Sequence, residues 1–264
     1  MYAFEYQRPA SVADAKAALG ADARFLAGGQ SLIQAMKLRL SSSERLVDLG
    51  GIADLKGIKV DGGNIVIGAM VTHAAVAASA DVQRACPALA ELAGGIGDPM
   101  VRNMGTIGGS IANADPAACY PAAVVGLGAT VHTNQRTIAA DAFFTGLYET
   151  ALQAGELITA VSFPALQKAA YVKYKQPASR FALVGVVVSQ GSDGVRVAVT
   201  GAKGSVFRAT EIEAALTKSF TPDAAKAVKM PTADINADMH GSAVYRAAMI
   251  SVMASRAVVA VLAR

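Results

Sequence analysis

The sequence predicts an α+β fold, and three observations carry that reading. Residues 1–50 alternate short strand-like and helical segments around a Gly-Gly turn. From Gly57 the texture changes to a β-hairpin followed by alanine-rich helices. Beyond Pro164, strand candidates joined by tight turns precede a run of helical segments, the order expected of helices laid on one face of an antiparallel sheet. At 264 residues the chain can form one large domain or two to three small ones, each with a core.

Taken in order, Ser11-Val12-Ala13-Asp14 before an Ala/Leu run is a capped helix start. Ala23 to Ala27 is a short apolar strand running into Gly28-Gly29, Ser31 to Leu40 has helical spacing, and Arg45 to Leu49 is a second strand. Ile58 to Val60 and Asn64 to Gly68 flank Asp61-Gly62-Gly63 as a hairpin. Two alanine-rich helices are expected, Thr72 to Ala80 and Asp81 to Ala93, then a glycine-dense loop from Gly94 to Gly109. Pro116 to Gly126 reads as a helix with Asp115 as its N-cap. Strands are expected at Ala129 to Thr133 and Leu157 to Phe163, with a joint near residues 165–170. Tyr171 to Lys175, Phe181 to Ser189 and Val195 to Thr200 follow as strands, with a turn at Ser192-Asp193-Gly194. Helices at Thr210 to Lys218, Pro222 to Val228 and Ser242 to Leu262 close the chain.

Composition excludes several classes. Hydrophobic residues make up 53% of the chain and charged residues 17%, with 56 alanines, 25 glycines and no tryptophan, which excludes disorder. Mean hydropathy is +0.38. Uninterrupted apolar stretches such as Ala122 to Val131 and Ala257 to Ala263 fall short of the ~18 residues a spanning helix needs, so no membrane span is expected. The surplus apolar surface is expected to be covered by partners or a large ligand. Net charge is +4 without any run of five Lys/Arg, so no nucleic-acid partner is expected. Cys86 and Cys119 stand alone, 33 residues apart, which excludes a Cys-rich zinc site, an Fe–S cluster or a disulfide framework within the chain. Met1 to Tyr6 lacks the pattern of a signal peptide, and the cytoplasm is the expected compartment. His73, His132 and His240 lack metal-ligand spacing and are expected at the surface or in caps. Neither a nucleophile elbow nor a Walker A motif occurs.

Two glycine loops remain. Leu26-Ala27-Gly28-Gly29-Gln30-Ser31-Leu32 sits at a strand-to-helix transition, where glycine lets backbone N–H groups approach a ligand. Gly105-Thr106-Ile107-Gly108-Gly109-Ser110 offers further backbone amides and short hydroxyls. Either could be a bare turn; together they suggest one pyrophosphate gripped from two sides, hence a dinucleotide. A Rossmann site fails on spacing, because Gln30 and Ile33 occupy the later glycine positions, and Asp48 reads as a turn or cap residue.

These two motifs, with Asp98-Pro99-Met100-Val101-Arg102-Asn103 before the second, resemble the FAD-binding medium subunit of molybdenum hydroxylases, the xanthine oxidase family that includes carbon monoxide dehydrogenase. The resemblance runs from Phe4-Glu5-Tyr6-Gln7-Arg8-Pro9 to the C-terminal helix. It implies an FAD-binding domain of the PCMH type at 1–166, built of two α/β subdomains (about 1–56 and 57–166). An α+β domain of the carbon monoxide dehydrogenase flavoprotein type follows at 170–264, with an antiparallel sheet and helices. It also implies an oxidoreductase subunit that takes electrons from [2Fe-2S] clusters of a small iron–sulfur subunit and passes them to quinone, NAD or oxygen. A large subunit would carry the molybdenum cofactor, in a dimer of heterotrimers.

By the same resemblance, Ala27, Gly28, Gly29, Gln30 and Ser31, with Thr106, Ile107, Gly108, Gly109 and Ser110, hold the FAD pyrophosphate and ribityl oxygens. Ile96 lies near the adenine and Ile158 beside the isoalloxazine, although both also suit a core position. Lys175 reaches the polar edge of the flavin and Phe181 covers one of its faces; a solvated lysine and a core phenylalanine are the other readings. Ser110 stands where many relatives have Asn. Cys119 stands where many have a ribose-binding Asp, a role Asp115 could take instead of capping. No catalytic or metal-ligating residue is assigned. Two alternatives stay open: an FAD-free assembly subunit and a stand-alone flavin oxidoreductase.

Overall fold

The computed structural model describes residues 1–264. Its N-terminal piece runs β1 (Glu5–Gln7), α1 (Val12–Ala17), β2 (Ala23–Leu26), α2 (Leu32–Lys37) and β3 (Arg45–Asp48). The strands form a parallel sheet in the order β1-β3-β2. Strand β1 was not among the expected elements: all three of its residues are exposed, so it carries no hydrophobic signal and exists through its pairing with β3. Ser11 Oγ accepts from Asp14 N at 3.1 Å, the expected cap of α1. Asp48 caps the turn that follows β3, accepting from Gly50 N at 2.8 Å.

The middle piece holds β4 (Ile58–Asp61), β5 (Asn64–Gly68), α3 (His73–Ala78), α4 (Ala80–Ala85), α5 (Pro87–Gly94), α6 (Pro99–Met104), α7 (Ile107–Asn113) and α8 (Cys119–Gly126). Then come β6 (Thr130–Thr133), β7 (Thr137–Ala139), α9 (Ala140–Phe143), the small hairpin β8 (Phe144–Gly146) and β9 (Glu149–Thr150), and β10 (Ile158–Pro164). An antiparallel sheet in the order β4-β5-β10-β6-β7 is the floor on which the helices lie.

Three expectations fail here for local reasons. Residues 72–93 make three helices, because Ser79 caps α4 in an extended conformation and Pro87 starts α5 afresh after Cys86. The glycine-dense stretch 94–109 is mostly helical: Asp98 Oδ1 caps α6 from Val101 N at 2.8 Å, and Thr106 Oγ1 caps α7 from Gly109 N at 3.1 Å. Helix α8 begins at Cys119 rather than Pro116. Asp115 Oδ1 instead closes a turn with Ala117 N (2.8 Å), while the Pro116 and Ala118 carbonyls accept from Thr200 Oγ1 at 2.6 and 2.7 Å.

The C-terminal piece carries the antiparallel sheet β11 (Ala169–Lys175), β12 (Ala182–Gly191), β13 (Gly194–Thr200) and β14 (Phe207–Arg208) in sequential order. Helices α10 (Thr210–Lys218), α11 (Pro222–Ala227) and α12 (Ala243–Leu262) cover one face. By length and composition α12 could cross a bilayer, which the uninterrupted runs did not suggest. Tyr245, Arg246 and Arg256 interrupt its sequence without lowering its average much, and half of the helix is buried, packed on β11, β12 and α11.

Three buried clusters result: 30 residues centred on the middle piece, 19 in the C-terminal piece and only seven at the N-terminal piece, two of which, Met70 and Leu157, come from the middle piece. Val187 and Ala169 of the C-terminal sheet belong to the middle cluster. Ser189 Oγ donates to Gly126 O at 2.7 Å and Arg196 Nε to Val125 O at 3.0 Å, tying that sheet to the end of α8.

Candidate functional site

The three pieces meet around a cavity of about 430 Å³. Its first wall is the turn after β2. Gly29 has φ +71°, a left-handed conformation that suits glycine, and the chain then enters α2. The N–H groups of Gly28, Gly29, Gln30 and Ser31 find no acceptor within the chain, and Ser31 Oγ makes no capping bond. Four successive unpartnered donors on residues that line a cavity can form a cradle for an anion.

The second loop touches the first. A Cβ on Gly28 would lie 2.0 Å from Met104 O and 2.8 Å from Gly105 Cα, so the two backbones can meet only because Gly28 has no side chain. In other respects the second loop departs from expectation. Its amides are spent within the chain: Ile107 N donates to Val71 O (3.1 Å), Gly108 N to Ala69 O (2.9 Å) and Ser110 N to Thr106 O (3.0 Å). Ile107 points into the middle core with 0% exposure and does not line the cavity. This loop is therefore a rigid wall that presents Thr106, Gly109, Ser110 and, one helical turn on, Asn113. The side chains of Ser110 and Asn113 make no hydrogen bond within the chain.

The ends of the cavity are more apolar. Ile96, Leu152, Ile158 and Phe181 line it, with Phe181 47% exposed at the rim and Ile158 buried. Asp115 lines it too, its Oδ2 accepting from Tyr148 OH at 3.4 Å. Lys175 does not reach the cavity: it lies exposed at the end of β11, where pairing with β12 slips by one residue between Tyr174 and Lys175. Lys173 lines the cavity in its place. Its Nζ donates to Gly95 O (2.9 Å) and Arg180 O (2.8 Å) and stands 3.4 Å from Cys119 Sγ. Cys119 is buried in the same wall. Arg102 and Arg180 donate to the neighbouring Ile96 and Gly97 carbonyls, so three cations brace this edge.

Two further groups went unnoticed in the sequence. His73 lines the cavity, 5% exposed, rather than sitting at the surface. Burial, then the nearby Arg102, push its imidazole down from 6.5 to about 4, so it is neutral at physiological pH. Glu156 closes the far side with a fully buried carboxylate. It accepts from Arg136 Nε (2.9 Å), Thr133 Oγ1 (2.8 Å) and Gln153 N (2.8 Å). Arg136 above all holds its pKa down, from 4.5 to about 2. A group depressed in the folded state adds stability above its unfolded pKa and loses it as pH falls through the folded value. A Glu156→Gln variant is therefore expected to be less stable than wild type at pH 6. The gap in urea midpoint should close as pH falls from 4.5 towards 2, and a gap that does not change with pH would refute this.

Comparisons with known proteins identify the family. Residues 2–166 match the family described as the FAD binding domain in molybdopterin dehydrogenase. The chain is 37% identical to the carbon monoxide dehydrogenase medium chain of Hydrogenophaga pseudoflava, over 99% of this chain and 98% of that one. It is 35% identical to the nicotine 6-hydroxylase medium subunit of Paenarthrobacter nicotinovorans, over 97% and 96%. Among solved structures, it resembles a carbon monoxide dehydrogenase from Hydrogenophaga pseudoflava, with TM-score 0.90, 38% identity and coverage of 99% and 98%. It also resembles quinoline 2-oxidoreductase from Pseudomonas putida 86, with TM-score 0.89, 30% identity and coverage of 98% and 97%.

Proposed function

The chain belongs to the FAD-binding medium-subunit family of molybdenum hydroxylases, and from that premise we propose that it is the electron-exit subunit of such an enzyme. The observation that carries the proposal is the meeting of the two glycine loops, one with four free N–H donors, across a single cavity. FAD fits what the walls offer: donors for a pyrophosphate, free Ser31, Ser110 and Asn113 side chains for its hydroxyl-rich middle, and apolar ends. Bound FAD supplies a carrier that takes up and gives out electrons singly or in pairs.

The residues of this chain bind and orient it. Gly28 to Ser31 hold the phosphates, with Ala27 beside them and Thr106, Gly108, Gly109 and Ser110 opposite. Ile96 and Ile158 flank the two ring systems, Asp115 faces the adenosine side and Phe181 screens a flavin face from water. Lys173 supplies positive charge to the cavity wall together with Arg24 and Arg180. Residues 1–166 are the FAD-binding domain (subdomains 1–56 and 57–166), and 170–264 form the C-terminal domain that closes the cavity. A small subunit with [2Fe-2S] clusters delivers electrons, and a large subunit with the molybdenum cofactor acts on the organic substrate. Quinone, NAD or oxygen is the acceptor. The assembly is a dimer of heterotrimers, in the cytoplasm.

The test is spectroscopic. The purified chain is expected to carry a flavin absorbance band, with iron–sulfur absorbance only when partner subunits co-purify. A colourless chain in an otherwise active complex would overturn the proposal.

A further inference from the structure

His73 is the one histidine of the cavity wall, and its imidazole has no partner in the chain. It opens α3 with its backbone N–H donating to Gly105 O at 3.0 Å, and Thr72 bridges to Thr106. The residue is thereby fastened to the second glycine loop. Its ring is tilted against Tyr120, with centroids 5.2 Å apart, which fixes the ring plane. Nδ1 is sealed from water without an acceptor or donor beside it. Nε2 sits at Gly105, where a Cβ would come within 2.5 Å of it. Nε2 also has no hydrogen-bond partner in the chain and, unlike Nδ1, is not sealed from water, so it is the ring nitrogen that a ligand in the cavity can reach.

We propose that His73 is a binding residue for the phosphate-bearing middle of the dinucleotide, its Nε2–H donating where the second loop has no free amide. The proposal rests on the FAD reading above. It answers a deficit in the second loop, whose amides at Ile107, Gly108, Gly109 and Ser110 are all spent within the chain. A neutral imidazole can donate from Nε2 without bringing a charge next to Arg102.

Three variants of the full-length chain test it, with FAD binding read from flavin fluorescence quenching and ADP binding read by competition. His73→Phe keeps the ring against Tyr120 and removes both nitrogens. His73→Gln can place an N–H near the Nε2 position, and His73→Asn near Nδ1. The Phe and Asn variants are expected to bind both FAD and ADP about tenfold more weakly, with Gln within about threefold of wild type. Wild-type FAD affinity in His73→Phe would overturn the proposal. So would weakened FAD with unchanged ADP, because the contact would then lie at the flavin end. If His73→Phe does not fold, the Gln and Asn pair decides: equal affinities refute the Nε2 assignment. A wild-type chain that binds no FAD refutes the function proposed above instead.

Discussion

A Gly28→Ala chain is expected to come off a gel-filtration column without flavin and with residues 170–264 still folded. One methyl group is enough because its neighbours are backbone: 2.0 Å to Met104 O, 2.7 Å to Met104 C and 2.8 Å to Gly105 Cα. No rotamer change relieves that overlap, so the loops must separate. The donors of Gly28 to Ser31 then no longer face Thr106 and Ser110 across the cavity. A loss of at least roughly 100-fold in FAD affinity is expected, about 3 kcal/mol. Gly57→Ala is the matched control, since nothing lies within 4 Å of a Cβ there. Full flavin content in Gly28→Ala, with the control unchanged, would disprove the loop contact.

The second large effect concerns stability. Arg246 is 4% exposed on α12 and joins three segments. Nη1 donates to Leu183 O (2.7 Å) and Gly201 O (3.0 Å), and Nη2 to Asp238 Oδ2 (2.7 Å). Replacing it with Leu leaves two carbonyls without their donor, whereas Asp238, 46% exposed, turns to water. A loss of about 3 kcal/mol is expected, read as a lower urea midpoint at unchanged slope. The seam to the cavity runs close by, through Gly201 N to Pro116 O (2.7 Å) and Ala182 N to Ala117 O (3.3 Å). A midpoint within experimental scatter of wild type would mean that water replaces the guanidinium.

Legibility in the sequence followed the range of the forces involved. Gly28-Gly29 beside Ser31, and Thr106 with Gly108-Gly109, were readable because a turn and a close backbone approach restrict the residue type locally. The hairpin at Gly62-Gly63 and the Ser11 cap were readable for the same reason. What stayed hidden depends on distant partners. The amides of Ile107 and Gly108 looked free, because the Val71 and Ala69 carbonyls that take them lie more than 30 residues away. Lys173 and Lys175 share a strand face by alternation, and only the pairing slip against β12 separates them. A single His with no ligand spacing gave no reason to place His73 at the cavity. Pro87 was visible as a break but was read through, because the alanine-rich pattern continues on both sides of it.

The seven-residue core beneath β1, β2 and β3 has a consequence for the life of the protein. That core is small and is completed by Met70 and Leu157 of the middle piece, and the glycine turn beside it holds four N–H donors with no acceptor in the chain. A ligand that satisfies them adds stability to this piece in proportion to the logarithm of its free concentration. A chain that has not yet received flavin therefore opens first at its N-terminal end, and proteases meet it there. Limited proteolysis of the flavin-free chain is therefore expected to begin there and to slow as FAD is added.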